Sequence, residues 1–441
     1  MKSEMNRRHF LKRTTGAAIG ALGFPYIVPS TVFSHSGSVP PSDRIVMGCI
    51  GVGEMGTGHV RSFLGYDDVY IAAVCDVRKS HRDRAKGLVN KRYGNNDCAT
   101  YNDFREILAR KDIDAVLIAV PDHWHALIGI EAARNGKHMY YEKPMSMSVA
   151  ESQAVREAVK RYNVVFQFGT QQRSNERFRL TCELIHNGKI GELQTIMIGS
   201  ASYKPIPAQP EQPVPEGFDY DLWLGPAPVA PYTFKRCTRN WTLIRDYSLG
   251  CLSGAWGIHH VDISQLANNS DDTAPVETEG YGVFPDKGLY DTAIAWEVEH
   301  KYANGVKLIH MDMPTALKRA EQFKIHWMGV LFQGSDGWIY VCREIMKTNP
   351  DSLIRYKFSA SDKRLPGGTD HRRNFLDAVK NRQQTMSPVD AAARSDMICH
   401  HADIAMRLGR KLNWDPVKEE FVNDAEANRL LNRPMRSPWH L

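Results

Sequence analysis

The sequence predicts an α/β protein of two domains: an N-terminal doubly wound parallel sheet, then an α+β domain with a large open, mostly antiparallel sheet. Three observations lead to this prediction. Buried apolar runs alternate with helical patterns from residue 44 to about residue 165, which is typical of a parallel sheet. A glycine-rich turn follows the first of these runs. Beyond Phe168, long alternating segments are joined by Asn-Gly and Asp-Gly turns, which connect antiparallel strands.

The length and charge of the chain fit two globular domains and disfavour a nucleic-acid partner. The chain has 441 residues, 42% of them hydrophobic and 24% charged, enough to bury a full core. Of the net charge of +6, +4 lies in the first 33 residues, and the other 408 residues carry 51 basic and 49 acidic groups. A groove for a phosphate backbone needs a clustered basic excess, so we expect no nucleic acid as a partner.

The eight cysteines are scattered and form no Cys-x-x-Cys pair. This spacing fits neither a zinc ribbon nor a small disulfide scaffold. Cys49 and Cys75 lie inside apolar runs, so we expect them to be buried core residues.

The first residues resemble a twin-arginine export signal. Paired arginines in the run Asn6 to Lys12 precede a weakly hydrophobic stretch, residues 14–28, rich in Gly and Ala. That stretch is too short for a stable membrane span, which needs about 20 apolar residues. We therefore expect a signal peptide at residues 1–33, a linker at 34–43, and a protein that the twin-arginine machinery exports folded to the periplasm.

A glycine-rich turn opens the first domain, which we predict at residues 44–165. The strand-like run Arg44 to Ile50 leads into Gly51-Val52-Gly53-Glu54-Met55-Gly56 and a helical pattern. In such a turn Gly51 permits the tight bend and Gly53 lets the backbone approach a pyrophosphate. Gly56 lets the helix approach the strand, with its N-terminus facing the anion. We expect Glu54 and Met55 to contact the dinucleotide as part of the same turn.

Asp76 ends the next apolar run and lies twenty residues after Gly56. A carboxylate at this place accepts hydrogen bonds from an adenosine ribose. It also repels a 2′-phosphate, so the pattern favours NAD over NADP, although Arg78 and Lys79 are close in sequence. The alternative is that Asp76 is an ordinary residue at the end of a strand.

Two further polar segments follow predicted strands, at the edge of the sheet where ligands bind. Pro121-Asp122-His123-Trp124-His125 follows the strand Asp114 to Val120, and we expect Asp122 and His125 to line the cofactor cleft. The pair His123 and His125 has no third ligand nearby in sequence, so we predict no metal site. Glu142-Lys143-Pro144 follows the strand Lys137 to Tyr141.

Lys143 is the main candidate for a catalytic side chain. It lies beside a proline that favours extended backbone, at the end of a strand where a nicotinamide would bind. Partial burial and a cationic ring nearby would favour its neutral form, so that it could exchange a proton with a substrate hydroxyl near neutral pH. The alternative is a solvated surface lysine.

In their order and spacing, these motifs resemble the Gfo/Idh/MocA family, which includes glucose-fructose oxidoreductase and inositol 2-dehydrogenase. The resemblance runs from about residue 44 to the C-terminus. It implies a Rossmann domain that carries NAD(P), a second domain on a large open sheet, and hydride transfer at a sugar or cyclitol carbinol. It also implies that Lys143 is the catalytic lysine, that Glu142 reaches the nicotinamide ribose, and that the chain forms a homo-oligomer.

The second domain, predicted at residues 166–441, has strands, helices and an irregular tail from Trp414. The predicted strands are Gln194 to Ser202, Thr292 to Tyr302, Val306 to Met313 and Lys324 to Gln333. Asn304-Gly305 and Asp336-Gly337 supply hairpin turns. The predicted helices are Asn175 to Asn187, His371 to Val379 and Pro388 to Leu412.

Candidate substrate contacts lie in a polar turn and in an aromatic segment. Gln172 and Arg173 belong to the turn, and Trp241 follows the Pro-rich, aromatic residues 203–240. Aromatic faces and an arginine suit a polyol. The alternative is that the aromatic side chains pack onto the sheet.

A second glycine-rich turn, in residues 250–262, leads into a helix that carries His259 and His260. By resemblance, His259 is the candidate base: a neutral imidazole accepts the hydroxyl proton while Lys143 hydrogen-bonds the same oxygen. His260 is a candidate substrate contact. The family pattern has an aspartate four residues before this histidine, where this sequence has Ala255. Asp246 and Asp262 are candidates to replace it.

Three functions are compatible with these motifs. The preferred one is an NAD-dependent oxidoreductase that acts on a secondary hydroxyl or ketone of a sugar, glycoside or cyclitol. A glycosidase of the same superfamily would use retained NAD for a transient oxidation, followed by elimination of the glycosidic bond. A non-catalytic sugar-binding protein is the third possibility, and Ala255 is the feature in its favour.

Overall fold

Two β-sheets form the framework of the chain from Ile45 to Leu441. The computed structural model describes Pro40, residues 43–325 and residues 328–441. The predicted export signal and most of the predicted linker lie outside the described residues. Within the described part of the chain, no helix is long and apolar enough to cross a membrane.

The first sheet is parallel, as predicted. Its strands are β1 (Ile45–Ile50), β2 (Val69–Cys75), β3 (Ala99–Tyr101), β4 (Ala115–Ile118), β5 (His138–Tyr141) and β6 (Phe166–Phe168). They lie in the order β3-β2-β1-β4-β5-β6, so the direction of the connections reverses between β1 and β4. This is the order of a dinucleotide-binding doubly wound sheet, whose ligands lie at that reversal.

Five helices accompany this sheet. They are α1 (Glu54–Phe63), α2 (Lys79–Tyr93), α3 (Phe104–Leu108), α4 (Asp122–Arg134) and α5 (Val149–Arg161). Because helices cover both faces of the sheet, β4 and β5 are buried along their whole length. Ser148 caps the N-terminus of α5, since its Oγ accepts a hydrogen bond from the backbone N–H of Glu151 at 3.3 Å.

The second sheet has nine strands and is mostly antiparallel, as predicted. Its strands are β7 (Leu193–Ser200), β8 (Glu277–Val283), β9 (Ala295–Lys301), β10 (Lys307–Asp312), β11 (Gly329–Gly334), β12 (Trp338–Val341), β13 (Met346–Asn349), β14 (Leu412–Asp415) and β15 (Glu420–Phe421). They lie in the order β13-β12-β11-β7-β10-β9-β8-β14-β15. Only β7 and β10 are parallel neighbours among the strands described.

Seven helices belong to this second part of the chain. They are α6 (Glu176–His186), α7 (Tyr220–Leu224), α8 (Gly257–Ala267), α9 (Met313–Arg319), α10 (His371–Asn381), α11 (Val389–Leu408) and α12 (Ala425–Arg429). α8 and α11 pack together and cover one face of the sheet. The prediction of an irregular tail from Trp414 is wrong, because β14 pairs with β8 and then with β15.

Histidines are buried between the second sheet and α11. His300 on β9 and His310 on β10 share a face of the sheet, since His310 pairs with Val298, two residues before His300. His401 on α11 is also fully buried. His300 and His310 each have one ring nitrogen without a hydrogen-bond partner, and neither nitrogen of His401 has one.

Candidate functional site

A cleft of about 970 Å³ runs along the carboxyl ends of β1, β2, β4 and β5. Its size is at the upper end of the range of about 300–1,000 Å³ for ligand pockets. The first sheet contributes Gly51, Gly53, Glu54, Met55, Asp76, Asp122, Glu142 and Lys143 to the lining. Gly254, Ala255 and aromatic side chains from the second part of the chain complete it.

The three glycines of the first turn have different surroundings. Gly51 has a φ of +77°, and a Cβ there would lie 2.4 Å from the carbonyl oxygen of Ala119. A Cβ on Gly56 would lie 1.9 Å from the carbonyl oxygen of Gly51, so only glycine lets α1 approach β1 this closely. A Cβ on Gly53 would approach only His81, at 3.7 Å, which leaves this stretch of backbone open to the cleft. The turn therefore fits the pyrophosphate of a dinucleotide at the start of α1.

Asp76 is fixed by the backbone at the end of β2. Its Oδ2 accepts from the N–H of Val52 at 2.9 Å, and its Oδ1 accepts from the N–H of Arg78 at 2.9 Å. His81 Nδ1 lies 3.2 Å from Oδ2. These contacts hold the carboxylate against the glycine turn, in the position expected for a group that binds a ribose.

Residues 217–219 pack against the segment that follows Asp76. The N–H of Lys79 donates to the carbonyl of Gly217 at 2.8 Å, and the N–H of Asp219 donates to that of Val77 at 3.0 Å. The guanidinium of Arg78 lies 3.8 Å from the ring centre of Phe218 and donates to the carbonyl of Cys237 at 2.9 Å. The second part of the chain is thus hydrogen-bonded to the segment that follows β2.

Glu142 lies at the end of β5 and is only 3% exposed. His59 Nε2 lies 2.8 Å and Gln171 Nε2 lies 2.9 Å from its Oε1. Arg372 Nη2 lies 3.0 Å from His59 Nδ1 and donates to it, so the Nε2 of this ring carries the proton that Glu142 accepts. Burial favours the neutral acid, but the hydrogen bond from His59 and the charge of Lys143 hold the pKa of Glu142 well below its ordinary value.

Lys143 is half-buried, and its Nζ donates to the carbonyl oxygen of Gly254 at 2.9 Å. Gly254 precedes α8, so this bond joins the end of β5 to the turn that carries Ala255 and His259. Lys143 therefore lies where the loop after β5 meets the loop before α8. It lines the cleft, as its place after β5 predicts.

His259 lies in the first turn of α8 and is 4% exposed. Burial lowers its pKa well below the ordinary value, and the charges of Arg343 and Lys143 act in the same direction. The ring is therefore neutral at neutral pH, and its Nδ1 has no hydrogen-bond partner. Glu142 and Lys143 line the cleft, whereas His259 is not among its lining residues.

Besides His259, three of the residues predicted to contact ligands are buried away from the cleft lining. His125 is fully buried, with its Nε2 2.9 Å from the carbonyl oxygen of Val120 and its Nδ1 against that of Pro144. Arg173 forms two-pronged ion pairs with Asp262 and Asp271. His260 accepts from Trp256 Nε1 at 3.2 Å. These three side chains form contacts within the protein. Sequence patterns could not distinguish such contacts from contacts with a ligand.

Two further predictions concern Gln172 and Trp241. Gln172 is 1% exposed and is not among the lining residues, but both polar atoms of its amide lack a hydrogen-bond partner. Trp241 lies in the cleft lining, in a short 3-10 helix at Arg239–Leu243.

Several lining residues were not singled out from the sequence. Tyr203, Asn240 and Tyr290 line the cleft, and Asn240 Oδ1 accepts from the hydroxyl of Tyr290 at 2.5 Å. The aromatic composition of residues 203–240 was the available signal, but Tyr290 lies fifty residues further on. The described residues contain no group of three or more His, Cys, Asp or Glu side chains arranged to hold a metal ion.

The fold and the cleft define an α/β protein that binds a dinucleotide at its first sheet. A model of the oxidoreductase family's NAD-binding Rossmann fold matches residues 45–170, and a model of that family's C-terminal alpha/beta domain matches residues 205–441. The chain belongs to the Gfo/Idh/MocA oxidoreductase family.

Curated relatives match about half of the chain. An alpha-N-acetylgalactosaminidase of Shewanella oneidensis is 31% identical over 214 residues, which are 45% of this chain and 46% of that protein. A glycosyl hydrolase family 109 protein of a Shewanella species is 30% identical over 217 residues, with the same coverage. The match therefore spans less than half the length of these relatives.

Solved structures share the fold over most of the chain. A levoglucosan dehydrogenase in complex with NADH and L-sorbose has a TM-score of 0.61 at 17% identity and covers 84% of this chain and 99% of its own. An aldose-aldose oxidoreductase of Caulobacter crescentus, complexed with glycerol, has a TM-score of 0.60 at 16% identity and the same coverage. At these identities the likeness concerns the fold.

Proposed function

We propose that this protein is an NAD-dependent oxidoreductase that acts on a secondary hydroxyl, or the corresponding ketone, of a sugar, glycoside or cyclitol. The observation that carries the proposal is the position of Lys143, half-buried in the same cleft as the glycine turn and Asp76. The nicotinamide of a bound NAD would accept or donate the hydride.

The residues around the cleft favour NAD over NADP. The carboxylate of Asp76 occupies the ribose position and would repel a 2′-phosphate. Among the arginines that line the cleft, Arg78 stacks on Phe218 and Arg84 donates to the carbonyl of Val52 at 3.0 Å.

Lys143 and His259 have different roles at the substrate oxygen. The Lys143 ammonium donates a hydrogen bond to that oxygen and stabilises negative charge as it develops. His259, which burial keeps neutral, accepts the hydroxyl proton. Glu142, kept ionised by its hydrogen bonds, reaches toward the nicotinamide ribose.

A glycosidase with retained NAD is the second candidate. It is favoured by the curated relatives at 30–31% identity, among them an alpha-N-acetylgalactosaminidase. In that case a hydroxyl of the substrate would be oxidised transiently, which would make the neighbouring C–H acidic and allow the glycosidic bond to be eliminated. The cofactor would afterwards return to its oxidised form. The same cleft serves both reactions.

Export and assembly extend the proposal. The paired arginines in the run Asn6 to Lys12 support export by the twin-arginine route to the periplasm. The face of the second sheet opposite α8 and α11 is the surface on which we propose that two copies associate.

The experiment that separates the candidates starts from protein purified without added nucleotide. A sample is denatured and any released dinucleotide is identified. Native protein is then incubated with a panel of glycosides while the absorbance of reduced nicotinamide and the release of free sugar are followed. Reduced nicotinamide together with a keto-sugar would establish the oxidoreductase. Free sugar without net reduction would establish the glycosidase, and bound nucleotide with neither signal would favour a binding protein.

A further inference from the structure

Asp122 lies on the wall of the cleft with one carboxylate oxygen unpartnered. It is the first residue of α4 and is only 2% exposed, yet its Oδ2 has no hydrogen-bond partner. A buried polar atom without a partner is costly, so a structure that keeps one calls for an explanation.

Gly254 brings Asp122 and Lys143 together. A Cβ on Gly254 would lie 2.0 Å from Asp122 Oδ2, so the carboxylate packs directly on this glycine. The carbonyl oxygen of the same glycine accepts from Lys143 Nζ at 2.9 Å. The two side chains therefore contact the same residue, Gly254, without forming an ion pair with each other.

The position after Gly254 is Ala255, where the family pattern has an aspartate. The two carboxylates considered from the sequence are engaged elsewhere. Asp262 is ion-paired with Arg173, and the charges that act on Asp246 come from Asp291 and from arginines. Asp122 instead places its carboxylate against the residue that holds Lys143.

We propose that Asp122 is a positioning residue for Lys143, supplying from α4 the negative charge that Ala255 lacks. Across Gly254, its negative charge attracts the Lys143 ammonium and directs it into the cleft, and we call this attraction the pairing of the two side chains. The identity of the substrate oxygen that Lys143 contacts rests on the proposed function, whereas the pairing of the two side chains does not.

The environment of Asp122 makes this pairing sensitive to pH. Burial raises the pKa of Asp122 to about 7, and the charge of Asp396 on α11 adds to this effect. Lys143 and the hydroxyl of Ser248 act in the opposite direction. As the pH falls through this value the carboxylate becomes neutral, and Lys143 loses its partner. Activity should therefore decline on the acid side because of Asp122.

The pairing is tested first by the reactivity of Lys143. Wild-type protein and the variant Asp122→Asn are treated with a limiting amount of an amine-reactive reagent at several pH values, and labelling of Lys143 is measured by peptide mass spectrometry. Without the carboxylate, the amine loses the negative charge that attracts it toward Gly254, so we expect labelling about fivefold faster near pH 8. Equal labelling rates in the two proteins would overturn the proposal.

A matched control separates this effect from a general loss of structure. Like Asp122, Asp312 is 2% exposed and lies at the start of a helix, in this case α9. Unlike Asp122, it belongs to the second sheet, and its Oδ1 accepts a hydrogen bond from Thr315 Oγ1 at 2.7 Å. Asp312→Asn should lower the thermal unfolding temperature without changing the labelling of Lys143.

If Asp122→Asn does not fold, Ser248→Ala is the second variant, and it should move the pH dependence of labelling to higher pH. An unmoved pH dependence would contradict the pairing.

Turnover provides the second readout. We expect Asp122→Asn to lower kcat about 10²-fold, to leave KM within about threefold, and to lose the acid decline of activity. If the wild-type enzyme is active and Asp122→Asn keeps its kcat and pH profile, the role of Asp122 is overturned and the proposed function is not. A wild-type protein inactive on every carbohydrate would instead count against the proposed function, while the labelling would still decide the pairing.

Discussion

At the scale of single residues, Glu142 and Lys143 are neighbours in sequence with different surroundings. Glu142 is buried and accepts hydrogen bonds from His59 and Gln171, whereas Lys143 is half-buried and bonded to one backbone carbonyl. The glutamate is held in place from several sides. The lysine has donors left for a substrate, since an ammonium has three N–H groups.

Replacing Lys143 tests its role directly. We expect Lys143→Ala to lower kcat about 10³-fold, because the substrate oxygen loses its charged donor, and to leave nucleotide binding nearly unchanged. The measurement is kcat and KM on a substrate found in the glycoside panel, with nucleotide affinity from fluorescence titration. Unchanged turnover would remove Lys143 from the reaction.

Asp76 is expected to set the choice of dinucleotide. Asp76→Ala removes a charge that repels a 2′-phosphate, so the preference for NAD over NADP should fall by about tenfold or more. The ratio of the two dissociation constants, measured on the same protein preparation, is the readout. An unaltered ratio would mean that the carboxylate is not at the ribose.

The site could be predicted where its residues act through local geometry. Gly51, Asp76, Glu142 and Lys143 each follow a strand of the first sheet, and the ends of parallel strands meet at one edge. The contacts of His125 and Arg173 could not be predicted, because their partners are set by the tertiary fold. Arg173 forms an ion pair with Asp262, which is 89 residues away in the sequence. The spacing of residues in the sequence does not indicate such a contact.

At the scale of elements, the junction of β1 and α1 depends on close backbone contact. The expected Cβ of an alanine at position 56 lies 1.9 Å from the carbonyl oxygen of Gly51, whereas position 58, in the same helix, has open space. The two glycines therefore provide a matched pair.

We expect Gly56→Ala to lower the free energy of unfolding by about 2–4 kcal/mol and to weaken nucleotide binding, because α1 must move away from β1. Gly58→Ala should raise the free energy of unfolding by about 0.5–1 kcal/mol, since alanine is the better helix former. Denaturant unfolding of both variants tests this pair. Similar stability changes at the two positions would contradict the contact.

Long elements could be predicted, and short ones could not. The strand patterns before Gly51 and around the Asn304-Gly305 turn were long enough to show their periodicity, and they correspond to β1, β9 and β10. β3 and β6 have three residues each and β15 has two, so they show no periodicity. β15 forms because Phe421 packs against Trp414 and His401, contacts that only the folded chain supplies.

At the scale of the whole molecule, buried histidines couple stability to pH. Burial lowers the pKa of six fully buried histidines to about 3 or 4: His123, His125, His260, His310, His371 and His401. An unfolded histidine titrates near about 6.5. Below that pH the unfolded chain therefore binds more protons than the folded protein, and stability is lost as the pH falls.

We expect the free energy of unfolding to fall by about 1 kcal/mol for each of these histidines between about pH 7.5 and pH 5.5. The raised pKa values of Asp122 and Asp246 oppose this trend, but they are two groups against six. Denaturant unfolding at the two pH values measures the difference. A stability that does not change with pH would show that these rings are hydrated or partnered.

His401→Leu provides the matched variant for this effect. The ring of His401 packs 4.2 Å from that of Trp414, and neither of its nitrogens has a hydrogen-bond partner, so leucine removes a titrating group without breaking a hydrogen bond. The loss of stability on acidification should be smaller by about 1 kcal/mol in this variant. The same loss as in the wild type would exclude His401 from the effect.

The two backbone hydrogen bonds between residues 77–79 and residues 217–219 have a kinetic consequence. They join the segment that follows β2 and Asp76 to chain from the second part of the molecule. Val77 and Arg78 line the cleft, so these bonds fasten one stretch of the cleft wall to backbone from the second part of the molecule. Where the exit of a bound dinucleotide requires this stretch to move, its exchange rate reports how often the two segments separate.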